Sequence, residues 1–301
     1  MPFFERFIPK RDGGGEVKNK LERKIDTEKR PHYRYFYHGT FAGNLDDIQE
    51  DGFNFRERHP TLSMSPHYCL RGWTDPEKLK ERGREEPEGA SGGMLLVIER
   101  PEEYQVLPAE EGAPVELEDK IVFVRGRWFN YHQALVSRES RKRGGEKKAG
   151  SLPPNQIKMA LEPTADFKNI FIDFRRELAQ GNAPEDEYIL KLSEYLKRGR
   201  SVFKDQVEDK QELAENMITG EFQQYLVENI RRLSLNIQFY KGQNKGQRII
   251  QGKERRDFKP WPKEKAQQVI ASLKRLNPRN KFLQRYIDLY LPDLEKEWGN
   301  L

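Results

Sequence analysis

The spacing of apolar residues changes at Pro154, and this break limits the chain to a fold containing both sheet and helix. Between Tyr33 and about Val136 the apolar stretches are short and β-like: "YRYFYHG", "GGMLLVIE" and "KIVFVRGRWF", set between loops rich in Gly, Pro and charge. After Pro154 they recur at helical spacing. "PEDEYILKLSEYLKRG" opens on Pro184 and an acidic first turn and closes on basic residues and Gly199. Within it Tyr188, Ile189, Leu192, Tyr195 and Leu196 fall on one helical face. "KQELAENMITGEFQQYLVENIRRLSLNIQFY" and "KEKAQQVIASLKRL" continue the pattern, and "NKFLQRYIDLYLPDLEKEW" reads as a last helix interrupted near Pro292. No repeat period is visible. The expected class is α+β, with a charged arm over residues 1–30, a mixed domain over 31–150 and an all-α domain over 155–301.

Composition narrows the chemistry. Only 35% of the 301 residues are hydrophobic, yet Phe, Tyr and Trp make up 11%, which argues for a compact core rather than wholesale disorder. The net charge of +5 suits an anionic ligand without establishing one. A single cysteine, Cys69, excludes an internal disulfide framework and a multi-cysteine zinc site and fits a reducing compartment. The first residues carry no apolar signal region, and no run reaches the ~18 apolar residues of a membrane span. A soluble, cytoplasmic protein is expected, with no membrane partner. Neither a Gly-rich phosphate loop of the Walker type nor a His-x-x-x-His zinc pattern occurs.

Three pieces of the first domain carry candidate chemistry. "FYHGT" puts His38 at the end of the most aromatic strand. "RERHPTLSMSPHYCLRG" holds Ser63, Ser65 and Tyr68 with Arg56, Arg58 and Arg71 nearby. "PVELEDKIVFVRGRWF" sets Glu116, Glu118 and Asp119 immediately before a β-run. Taken singly, each has a plain structural explanation: a histidine before a turn, or polar residues alternating with apolar ones along a half-buried strand.

In this order they resemble the catalytic domain of the ADP-ribosyltransferase superfamily. There, a strand ending in His-Gly-Thr precedes a helix with an "NL..I...G" signature, matched here by "NLDDIQEDGF". A second strand then carries a hydroxyl or aromatic motif, and a late strand brings in a glutamate. The likeness covers about 100 residues. It implies a split β-sheet domain that binds NAD as substrate, followed here by the helical domain. It also implies that His38 and Gly39 contact the adenosine ribose and the nicotinamide amide, with Thr40 supporting the turn. Ser63 and Ser65 would form a wall of the nicotinamide pocket, with Tyr68 and Arg58 as further cofactor contacts. A carboxylate among Glu116, Glu118 and Asp119, with Glu118 preferred, would hold the nicotinamide-ribose 2′-hydroxyl. Two departures stand out: Thr61 occupies the place of the family's usual tyrosine, and "ELEDKIVF" fits two of the family's glutamate patterns in different registers.

The implied activity is transfer of ADP-ribose from NAD to a macromolecular acceptor, protein or nucleic acid, with release of nicotinamide. More distantly, the segment resembles the NAD lobe of tRNA 2′-phosphotransferases, in which Arg58, His59 and Arg71 would hold phosphate; that family's Gly-Val in the late strand is missing. The rival from another class is a non-catalytic module that binds a nucleotide or nucleic acid on a degenerate transferase fold. "KGQNKGQRIIQGKERRDFKPWPK" (residues 241–263) interleaves basic residues with Phe258 and Trp261, so an anionic partner at the basic C-terminal half is a further expectation.

Overall fold

The computed structural model describes residues 34–54, 61–67, 69, 93–99, 106–107, 122–125, 131–135, 151–152, 154–199, 201–203, 205–242, 248–251, 254–257 and 259–301. Eleven strands and six α-helices fall within them. The strands are β1 (Tyr35–Phe41), β2 (Phe53–Asn54), β3 (Thr61–Ser63), β4 (Gly93–Glu99), β5 (Val106–Leu107) and β6 (Val122–Arg125). They continue as β7 (Tyr131–Leu135), β8 (Ser151–Leu152), β9 (Ile157–Leu161), β10 (Arg248–Gln251) and β11 (Glu254–Asp257). The helices are α1 (Leu45–Asp51), α2 (Ala165–Gln180), α3 (Glu185–Arg198), α4 (Lys210–Tyr240), α5 (Lys263–Arg275) and α6 (Lys281–Gly299). The mixed α and β content agrees with the expected class.

Seven strands form one sheet in the order β5-β6-β7-β3-β1-β4-β9. All seven residues of β1 pair with β4, from Tyr35 opposite Glu99 to Phe41 opposite Gly93, and on its other side Tyr37 lies opposite Ser63 of β3. "MLLVI" of β4 is buried throughout, as a strand covered on both faces requires. The pleat sorts the apolar residues into two cores. Tyr35 and Tyr37 of β1, Leu95 and Val97 of β4, and Met159 and Leu161 of β9 face the long helices. Phe36, Leu96, Ile98 and Ala160 face the other way, where Leu45 and Ile48 of α1 cover them.

Local sequence explains the helices. Thr164 caps α2, its hydroxyl accepting from the Phe167 N–H at 3.3 Å, and Gly181 ends it at φ +85°. Phe167, Phe171, Phe174 and Leu178 form the buried stripe between. Asp209 caps α4, accepting from Gln211 and Glu212 at 2.8 and 3.0 Å. α4 has 31 residues and, at the ordinary rise, spans about 46 Å. Its buried residues, including Leu213, Ile218, Phe222, Leu226 and Ile230, point in several directions because the helix is covered on more than one side.

Two features differ from expectation. α6 runs through Pro292 without interruption. Phe282, Leu283, Tyr286 and Ile287 before it and Leu294 and Trp298 after it are buried on one stripe, and this packing outweighs the missing backbone bond. The second concerns residue 155: among the described residues, one core spans that point. Ile157–Leu161, at the start of the expected helical domain, pairs with β4 as an edge strand, and the helices share one core with the Tyr37 face of the sheet. The arm over residues 1–30 lies outside the described residues.

Candidate functional site

His38 is the only residue of β1 that is not fully buried. Alternation along the strand puts it on the side of Phe36 and Thr40, opposite Leu96 of β4. The strand does not end at His38 as expected: pairing with β4 carries it on to Phe41, and the turn after it is built by the residues of the sequence signature. Thr40 is buried, and its Oγ1 accepts from Asn44 Nδ2 at 3.2 Å across the 3-10 turn Ala42–Asn44. Leu45 and Ile48 drop into the core beneath, and Gly52 ends α1 at φ +75°, ψ −161°, a conformation open essentially to glycine alone. Its N–H reaches the Ile48 carbonyl at 2.9 Å. The "NLDDIQEDG" pattern therefore fixes the path of the chain leaving His38.

Ser63 and Ser65 occupy a different setting. Ser63 lies opposite Tyr37, so it shares the helix-facing side of the sheet rather than the His38 side. Its hydroxyl accepts from the Ser65 N–H at 3.0 Å. Ser65 is fully buried and donates its hydroxyl proton to Glu221 Oε2, on α4. Glu221 is 0% exposed and is held from its other oxygen by Arg175 of α2. Arg175 Nη1 donates to Glu228 at 2.9 Å, and Gln224 donates to the same carboxylate at 2.8 Å. The serine motif is thus tied to the helices through buried Glu221, whose partner Arg175 reaches on to the part-exposed Glu228. Such a chain holds a fixed geometry because removing Arg175 strands the Glu221 charge away from water.

Cys69 closes the same region, its thiol donating to the Tyr37 carbonyl at 3.2 Å. Burial pushes the thiol up to about 12, so it stays protonated and is no nucleophile at neutral pH.

Glu116, Glu118, Asp119, Tyr68 and Arg58 lie outside the described residues, as do His59 and Arg71. Gly39 sits in β1 opposite Leu95, next to His38. Of the expected site residues, the structure groups His38 and Thr40 on one side of the sheet and Ser63 and Ser65 on the other. Glu221 and Arg175 were not singled out in the sequence. The available signal was a Gly-Glu pair, Gly220-Glu221, between the apolar residues Ile218 and Phe222 of a helix buried on several sides. Among the described residues there is no group of three or more His, Cys, Asp or Glu able to hold a metal ion. Nor is any helix among them long and apolar enough to cross a membrane. No protein-family model, curated protein or solved structure matches the chain.

Proposed function

We propose that the chain transfers ADP-ribose from NAD to a macromolecular acceptor and releases nicotinamide, on a split-sheet fold of the ADP-ribosyltransferase kind. One observation carries the reading: a single part-exposed imidazole, His38, interrupts a strand whose other six residues are buried. A histidine retained only for packing would be sealed with its neighbours; this one is part-exposed in the middle of β1, four residues before the 3-10 turn that the Thr40–Asn44 bond braces. The part-exposed imidazole would then contact the ribose of a nucleotide lying across that face of the sheet. Cleavage of the nicotinamide–ribose bond develops positive charge on the sugar, as in glycoside hydrolysis. A fixed carboxylate beside the sugar stabilises that charge as it forms, and Glu118 is the residue proposed for this role. The acceptor's nucleophile takes the ADP-ribosyl carbon and loses its proton, while nicotinamide leaves with the bonding pair.

The test is a pair of variants of the full chain. His38→Ala should abolish NAD binding by calorimetry while the circular dichroism spectrum is unchanged. Glu118→Gln should keep NAD affinity and lower nicotinamide release by about 10²-fold or more. Absence of NAD binding in the parent chain refutes the reading.

A second reading has its own support. Ser65 is spent on Glu221 and Ser63 faces away from His38, so neither serine lines the His38 side of the sheet. That arrangement favours a non-catalytic module whose cleft binds a nucleotide without turning it over. NAD binding without nicotinamide release in the parent chain would select it.

A further inference from the structure

We infer that the surface built by the start of α5 and the adjoining face of α4 binds single-stranded nucleic acid. The inference is independent of NAD chemistry. Between Lys241 and Lys265 the sequence holds nine Lys or Arg against three Asp or Glu, a net of +6 that exceeds the +5 of the whole chain. The remainder of the chain sums to a slight negative charge. Long-range attraction of a polyanion is therefore concentrated on this stretch. Part of it forms the two-stranded ribbon β10–β11, with Ile249 opposite Arg256 and Ile250 opposite Arg255. The stretch then returns to the helices at Lys259.

At that return the structure supplies aromatic faces as well as charge. The Trp261 N–H donates to Asn236 Oδ1 at 2.8 Å, and its carbonyl accepts from the Tyr240 hydroxyl at 2.8 Å. The Arg232 guanidinium holds the Lys259 carbonyl. So anchored, the Trp261 ring, partly buried against the helix core, carries Arg232 at 5.6 Å and the Lys265 ammonium at 5.3 Å from its centroid. Lys263 stands 5.5 Å from the neighbouring Tyr240 ring, which stacks edge-on against Trp298 at 5.6 Å. Lys259, Lys263 and Lys265 are all exposed. Glu264 follows Lys263 in sequence, Glu297 pairs with Lys241 at 3.5 Å, and the Lys263 ammonium donates to the Leu301 oxygen at 3.1 Å.

Fixed rings interleaved with exposed ammonium groups match a flexible strand that presents phosphates and unpaired bases together. A base sliding over Trp261 displaces a lysine from the ring toward the phosphate beside it, so the cation exchanges one partner for another. An acidic protein segment would use the charges and leave the rings unexploited. Duplex would do the same, since its bases are already stacked.

The experiment is fluorescence anisotropy of the full chain with a labelled 20-nucleotide single strand, a duplex of the same length and poly-glutamate, across a salt series. The single strand should bind at least tenfold more tightly than the other two. Reversing three contacts in K259E/K263E/K265E should reduce the slope of log affinity against log salt by about 2. Trp261→Ala should weaken single-strand binding by about tenfold with the salt slope unchanged. The Lys variant, whose residues are exposed, keeps the test decisive if Trp261→Ala unfolds. Equal affinity for poly-glutamate or for duplex overturns the inference, as does an unchanged slope in the triple variant or no binding at low salt.

Discussion

Replacing Gly220 by alanine should destabilise the protein, although the same change in an ordinary helix stabilises. Gly220 lies inside α4, where alanine in place of glycine is intrinsically worth about 0.8–1.0 kcal/mol in favour of the helix. Here a Cβ would stand 1.9 Å from the Met64 carbonyl oxygen and 2.7 Å from the Met64 carbonyl carbon. A carbon and an oxygen rest no closer than roughly 3.3 Å, so helix and loop must part by about 1.4 Å. The obstacle is backbone on both sides, so no side chain can swing away. The neighbouring residues make the shift costly, because Glu221 and Ser65 are bonded across the same contact. Stretching a buried bond to a carboxylate forfeits about 1.5–3 kcal/mol, and overpacking of this kind costs about 1–3 kcal/mol. After the propensity gain, a net loss of about 2–4 kcal/mol remains. At about 2 °C per kcal/mol for a chain of this size, the midpoint should fall by about 4–8 °C. The assay is thermal unfolding followed by circular dichroism, with Gly299→Ala as the control, since nothing lies within 4 Å of a Cβ there. If Gly220→Ala melts at or above the parent temperature, or matches the control, the close docking of α4 on the serine loop is wrong.

Arg175→Met leaves Glu221 fully buried beside Glu228 with no cation between them, and should cost about 3–5 kcal/mol in urea unfolding. Adding Glu221→Gln should recover part of that loss, whereas additive losses would show that the three groups are not coupled. A fragment ending at residue 150 lacks β9 and every helix that covers the Tyr35, Tyr37, Leu95 and Val97 face. It should therefore aggregate or lack a cooperative transition on heating; a soluble fragment that melts cooperatively would show that the sheet has a sufficient core without the helices.

How much of this was legible in the chain depended on the range of the interactions. The cores of β1 and β4 stand out because each is a short apolar run. The limits of α3 and α5 fall at an acidic first turn and a basic last turn, whereas α4 ends with no basic residue in its last turn. β9 did not stand out: five residues, "IKMAL", carry too little pattern to separate a strand from the start of a helix, and pairing with β4 decides between them. Pro292 read as an interruption because the local cost of proline is visible in sequence and the buried stripe that offsets it is visible only in the fold.

The serine motif makes the same point about function. Ser63 and Ser65, read along the strand, alternate with apolar neighbours and suggest one polar face. Only the register with Tyr37 shows which face, and Ser65 finds its partner 156 residues away. A contact of that range leaves no spacing to detect. It does leave a compositional trace at its far end, because a helix that must approach another backbone closely needs a residue without a Cβ, and a buried hydroxyl next to that approach needs an acceptor. Gly220 followed by Glu221 meets both needs, so the pair marks where α4 grips the strand beside His38. The helices are therefore tied, through Ser65 and Glu221, to the loop that follows β3, the strand beside His38.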